Sequence, residues 1–141
     1  MVRHIFHVQL PKKLAKKTLK HSPLDYLKYF KKRAEEKILH RENKYLHKLA
    51  SYDLLVIDEW LIFSLSEDDI RFLYELFELR YGKSSTIFVG QYPTTEWHSR
   101  LGGGAHADSI LDRIVHNIII IESGSKNMRE LLDSKKYKHQ I

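Results

Sequence analysis

The chain has 141 residues, which suits one domain with a single core, and its 43% hydrophobic and 30% charged content is that of a folded globular protein rather than a disordered one. Cysteine is absent, which excludes disulfides and thiolate metal sites and is compatible with a reducing cytoplasm; no run approaches the roughly 18 apolar residues that a membrane-spanning helix needs. The net charge of +6 is uneven: residues 1–50 carry fourteen Lys/Arg against four Asp/Glu, and residues 51–141 carry ten against fourteen.

VRHIFHVQL (2–10) alternates with period two and predicts a strand, and it is too short for the apolar core of a signal peptide followed by a cleavage site. PKKLAKKTLKH (11–21) is a lysine-rich, weakly helical connection. Residues 22–51 are expected to be helical, with a break near Arg41 to Asn43. Ser22 is placed as N-cap, Pro23 at the first helical position and Asp25 as the capping carboxylate, while Leu24, Leu27, Phe30 and Ala34 mark an apolar face. The basic excess of this half suggests a polyanion, most often nucleic acid, and Lys28, Lys31, Lys32 and Arg33 are the candidate DNA contacts. The alternative is a solvated helix face.

LLVID (54–58) is a continuous apolar run, as expected of a strand buried on both faces of a parallel sheet. SEDDIRFLYELFELRYG (66–82) predicts a helix with a Ser66–Asp69 capping box and a stop at Gly82. STIFVG (85–90) predicts a second buried strand, PTTEW a short helix, GGG (102–104) a turn, ADSILDRIVHN (107–117) a helix and IIIIE (118–122) a third buried strand. The polar tail 134–141 is expected to fray.

Buried strands alternating with helices indicate an α/β fold, a parallel sheet with helices on both faces, over one domain, 1–141. Its parts are a basic strand and connection (1–21), a basic helical region (22–51), a core (52–133) and the tail. Ligands in such sheets collect at the carboxyl ends of strands, where Asp58, Glu59 and Gln91 fall.

Four apolar residues followed by Asp-Glu is the Walker B pattern of P-loop ATPases, in which the Asp helps hold Mg²⁺ and the Glu polarises water. A strand can also end in acids simply to meet solvent. The segment from Asp58 to Leu131, with its blocks STIF..QYP..EWH.RLGGG.HA and ILDRIVHN, closely resembles the IstB-like family. These are AAA+ ATPases that assist transposases of insertion sequences and are related to the DnaC helicase loaders. The resemblance is firm over residues 52–132 and looser over 22–51. It implies ATP and Mg²⁺ as cofactors, and DNA, a transposase and further copies of the chain as partners. By the same resemblance Asp58 and Glu59 match the Walker B acids, with Mg²⁺ on Asp58. Gln91 falls at the sensor-1 position, Arg113 matches an arginine finger, and Arg129 in NMRE is sensor-2-like. Alternatively Arg113 pairs with Asp108 or Asp112, and Arg129 is a surface charge.

A Walker A loop, G-x-x-x-x-G-K-[ST], is absent: the first glycine is Gly82, and GKSS (82–85) has Phe77 where the first glycine belongs. The resemblance therefore implies a chain that begins after its phosphate loop. The family's Walker A strand lies centrally, between those matching STIFVG and NIIIIE. Its loss is expected either to let these two pair directly or to admit a second chain.

Other readings stay open. His98 and His106 flank the glycine turn and could meet at a metal, while Trp60 and Trp97 could stack on bases or simply pack. In function, the chain is either part of a DNA-binding ATPase that assists transposition, or a module without its own nucleotide that binds DNA or joins intact subunits. A weaker third reading is a Mg²⁺-dependent nuclease built on Asp58 and Glu59.

Overall fold

The computed structural model describes residues 5–9, 21–116 and 118–122. Five strands, β1 (Ile5–Gln9), β2 (His21–Asp25), β3 (Leu54–Asp58), β4 (Ser85–Gly90) and β5 (Ile118–Glu122), form one sheet in the order β2-β3-β4-β1-β5. The helices are α1 (Tyr26–Ile38), α2 (Glu42–Ala50), α3 (Glu67–Arg80), α4 (Thr94–Arg100) and α5 (Gly104–Val115). The sheet is α/β with parallel neighbours β2, β3 and β4, as expected of part of a P-loop NTPase core.

Helix starts and stops follow local chemistry. Ser66 caps α3 by accepting from the Asp69 amide at 3.1 Å, and Asp69 returns the bond to the Ser66 amide, also at 3.1 Å. The expected break near Arg41 to Asn43 separates α1 from α2. Gly102, Gly103 and Gly104 all take positive φ, and α5 starts at the last of them, three residues before the expected Ala107.

The start of α1 corrects the sequence reading. Ser22, Pro23 and Asp25 lie in β2, paired in parallel register with Leu55, Val56 and Asp58, and α1 begins only at Tyr26, so Ser22 and Pro23 do not open the helix. β2 is an edge strand, where proline is tolerated because only one side of the strand is in the ladder. The tertiary pairing overrides a local cap signal. The apolar face of α1 also differs: Tyr29 and Arg33 are buried, Phe30 is partly so and Ala34 is exposed.

A second correction concerns the central slot. β4 and β5 neither pair directly nor require another chain, because β1 lies between them, antiparallel to both. His7 sits opposite Phe88 on one side and Ile120 on the other. The sheet is therefore mixed.

The five described helices form one layer. Leu55 and Ile57 of β3 lie beside Thr86 and Phe88 of β4, and all four are buried. The rings of Phe77 (α3) and Trp97 (α4) meet Phe88 at 5.5 and 5.6 Å, and Arg80 Nε donates to Thr86 Oγ1 at 3.1 Å. Helices α2 and α5 pack on α3, and α1 joins through Tyr29 on Phe72 at 5.8 Å. The connections β2→β3, β3→β4 and β4→β5 all step the same way across the sheet. Right-handed crossovers stepping one way put their helices on one side.

On the opposite face Val56, Ile87 and Val89 are only partly buried. Ile119 and Ile121 fall in the same rows across the register and are 49% and 50% exposed. The expectation of strands buried on both faces thus fails for β3 for want of a second helical layer among the described residues, and fails for β5 on both faces, since Ile120, in the row of Phe88, is also 51% exposed.

Arg80 is the main polar group of the core, at 2% exposure. Its guanidinium donates to the carbonyls of Leu49 (3.0 Å), Tyr52 (2.7 Å) and Ser85, and so ties α2, the turn before β3 and the start of β4 to α3. Burial pulls its pKa down to about 10, and Asp53 opposes that fall.

Candidate functional site

β3 and β4 run parallel with Ile57 beside Phe88, so their carboxyl ends emerge together. Asp58, Glu59 and Gln91 all lie at this edge and all are exposed. Asp58 Oδ1 accepts the Glu59 amide at 2.8 Å, which fixes the first carboxylate against its own backbone. Glu59 and Leu61 both have φ of +58°, the left-handed region that non-glycine residues rarely occupy. The turn is stapled to β4: the Trp60 amide donates to the Val89 carbonyl at 2.8 Å, and the Ile62 amide closes back on Glu59 at 3.2 Å. Gly90 permits this approach, since a Cβ there would stand 3.0 Å from the Trp60 carbonyl oxygen.

Below the turn Trp60, Phe77, Phe88 and Trp97 form one aromatic cluster, with Trp60 and Phe88 centroids 4.8 Å apart. Trp60 and Trp97 are each 1% exposed, so they pack and do not offer faces to bases. Trp97 Nε1 donates to the Tyr92 carbonyl at 3.0 Å and holds the segment after Gln91. The acid pair therefore sits on a rigid support.

Arg113 feels the charge of Asp112 on its own helix. It crosses to α3, where Nε meets Glu78 and Nη2 reaches Tyr74 Oη at 3.3 Å, while Nη1 caps the Ser109 carbonyl at 2.8 Å. The bond it donates to Glu78 raises its pKa, and burial opposes that rise. Arg129 lies outside the described residues.

On α1 the four basic candidates separate. Lys28 and Lys31 are exposed. Lys32 is exposed but leans on Glu36 at 3.0 Å. Arg33 is withdrawn from any DNA face: it is 5% exposed and bonded to Glu42, Asp68 and Asp69. An arginine four residues after Tyr29 falls on the buried stripe of the helix, where three carboxylates satisfy its fork.

Neither histidine forms a metal site. His98 Nε2 lies 2.9 Å from Asp108 Oδ1, His106 is exposed, and among the described residues no group of three or more acids or histidines could hold an ion alone. Nor is any helix among them long and apolar enough to cross a membrane.

The family model of the IstB-like ATP binding protein matches residues 24–136. The chain belongs to the IstB-like ATP-binding protein family. Similar relatives include two insertion sequence ATP-binding proteins of Sinorhizobium fredii. One, y4uH, is 35% identical over 86 residues, covering 61% of this chain and 35% of the relative. The other, y4pL, is 40% identical over 81 residues, covering 57% and 33%. The ATP-binding protein of insertion sequence IS232 from Bacillus thuringiensis subsp. berliner is 30% identical over 93 residues, covering 66% and 37%. The chain thus spans about a third of the length of the curated relatives it matches.

Within this IstB-like chain, sequence reasoning missed Glu78, Arg100 and Tyr92 as neighbours of the named site residues. The spacing of Glu96 and Arg100, four apart on α4, was the available signal. Nothing in spacing links Glu78 to Arg113, which are 35 residues apart.

Proposed function

We propose that this chain carries the carboxylate side of the ATP site of an AAA+ ATPase that assists DNA transposition. The juxtaposition of Asp58 and Glu59 with Gln91, at the carboxyl ends of adjacent parallel strands, carries the reading. In it Asp58 holds Mg²⁺, Glu59 orients the attacking water, Gln91 feels the terminal phosphate, and Arg113 reaches the nucleotide of a neighbouring copy. The family resemblance assigns Arg129 a sensor-2-like contact with the nucleotide. Bound Mg²⁺ neutralises charge on the transferred phosphoryl group. Lys28, Lys31 and Lys32 are the DNA contacts that remain exposed, Lys32 beside Glu36, and a transposase is the protein partner.

The residues present fit the metal side. Mg²⁺ takes one or two carboxylates and completes its shell with water and substrate phosphates, and two exposed carboxylates stand together here. They do not fit the phosphate side, since none of the six glycines stands in a G-x-x-x-x-G-K-[ST] motif. Positioning is nearly all of phosphoryl-transfer catalysis, so turnover by this chain alone is not expected.

That mismatch favours a second reading, a module without its own nucleotide that binds DNA or offers Arg113 to an intact copy. Stimulation or poisoning of an intact family ATPase by added chain supports it; no effect counts against it.

The decisive test is a calorimetric titration with Mg·ATP, with Asp58→Ala as control. Micromolar binding weakened by the substitution establishes a complete phosphate site. A folded chain that binds nothing leaves the interaction module, and DNA affinity against salt concentration becomes the measurement.

A further inference from the structure

Two loops leave the carboxyl edge of the sheet, one after β3 with the acid pair and one after β4 with Gln91. A single side chain from neither loop touches both. Arg100, the last residue of α4, donates from Nη1 to the Leu61 carbonyl at 3.1 Å. Its Cζ lies 3.0 Å from the centroid of the Tyr92 ring, and its Nε is 3.6 Å from Glu96 Oε2 on the same helix.

The bond to Leu61 falls where the backbone most needs support. Glu59 and Leu61 are both left-handed, and Leu61 is fully buried. A non-glycine residue stays in that region only where its surroundings over-determine it. The turn's own amides supply two fastenings, Trp60 to Val89 and Ile62 to Glu59. Arg100 supplies a third from outside and ties it to Tyr92, the neighbour of Gln91. Arginine suits the task because one flat guanidinium both stacks on a ring and donates in its plane.

We propose that Arg100 is a positioning residue of the candidate site, fixing the acid pair relative to Gln91 so that capture of a divalent cation depends on it. The proposal rests on the reading of Asp58 and Glu59 as cation-holding carboxylates. Outer partners of metal-binding carboxylates commonly govern affinity without touching the ion.

The test titrates the full chain with Mn²⁺ and follows the free ion by electron paramagnetic resonance. Binding is expected to be lost in Asp58→Ala, weakened roughly tenfold in Arg100→Met, and partly restored in Arg100→Lys. The urea midpoint of Arg100→Met, expected to stay near that of the parent while Mn²⁺ affinity falls, separates positioning from general loss of stability. Unchanged Mn²⁺ affinity in a folded Arg100→Met chain, with Asp58-dependent binding in the parent, overturns the role of Arg100. A parent that shows no Asp58-dependent binding overturns the cation reading itself, and the role of Arg100 with it. If Arg100→Met does not fold, Arg100→Gln and Tyr92→Leu each break the stacked pair, and parental affinity in both overturns the proposal.

Discussion

Arg33 of α1 and Asp68 of α3 meet at 2.6 Å, although 35 residues separate them in the chain. Asp69 and Glu42 take the remaining arms of the same guanidinium, so one side chain locks α1, the start of α2 and the start of α3 together. Burial works against the charge on Arg33, but the bonds from Asp68 and Glu42 outweigh it and its pKa is raised. Arg33→Ala is therefore expected to cost about 1–3 kcal/mol of stability, because it removes the charged hydrogen bonds to three part-exposed carboxylates together with the packing on Phe72. Lys28→Ala and Lys31→Ala should leave stability within about 0.5 kcal/mol. Urea unfolding separates them; a neutral Arg33→Ala would show that the cluster is ornamental.

Asp68 gives the network a pH signature. The bond from Lys37, then that from Arg33, holds its pKa down at about 2, below the ordinary 3.8. A carboxylate depressed on folding contributes stability that is full above its unfolded pKa and is lost as pH falls through the folded one. The gap between parent and Asp68→Asn should be constant near neutrality and close between about pH 4 and pH 2. Asp68 is 44% exposed, so solvent screening keeps that gap within about 1 kcal/mol. Thermal midpoints across this window test it, and a gap that persists at pH 2 counts against the pairing.

Arg80 should be the most sensitive polar position in the core. Replacing it by Leu removes the guanidinium donor from the carbonyls of Tyr52 and Ser85, and leaves that of Leu49 with only the long bond from the Tyr52 amide at 3.5 Å. Each buried acceptor left without a partner costs about 1–3 kcal/mol, so a loss of about 3 kcal/mol or more is expected. Arg80→Lys should recover little, since an ammonium cannot reproduce the fork. Equal urea midpoints for Arg80→Lys and the parent would show that charge alone suffices.

The sheet face without helices should be sticky. Ile119 and Ile121 continue the rows of Ile87 and Val89 and are half exposed on a strand at the sheet edge. Exposed apolar edges promote association. Ile119→Thr with Ile121→Lys should lower concentration-dependent light scattering and binding of an apolar dye, with the unfolding midpoint little changed. Undiminished scattering in the double variant would place the association elsewhere.

Much of this protein was legible in the amino-acid order because its signals are local. The capping box of Ser66 and Asp69, the apolar runs before Asp58 and Gly90, and the three consecutive glycines each state their own conformation within a few residues. The acid pair at a strand end and the segments around it also sufficed to indicate the family.

Tertiary structure decided what depends on distant neighbours. Ser22 and Pro23 read as a helix start, yet pairing with β3 drew them into an edge strand. Arg33 read as a solvent-facing cation, yet three carboxylates from two other helices enclose it. β1 took the place between β4 and β5 in antiparallel sense, and the edge position left Ile119, Ile120 and Ile121 of β5 all half exposed. Strand order and handedness are properties of the assembled sheet. A period-two or apolar pattern shows that a residue seeks cover, and only the neighbours brought by the fold decide whether it finds any.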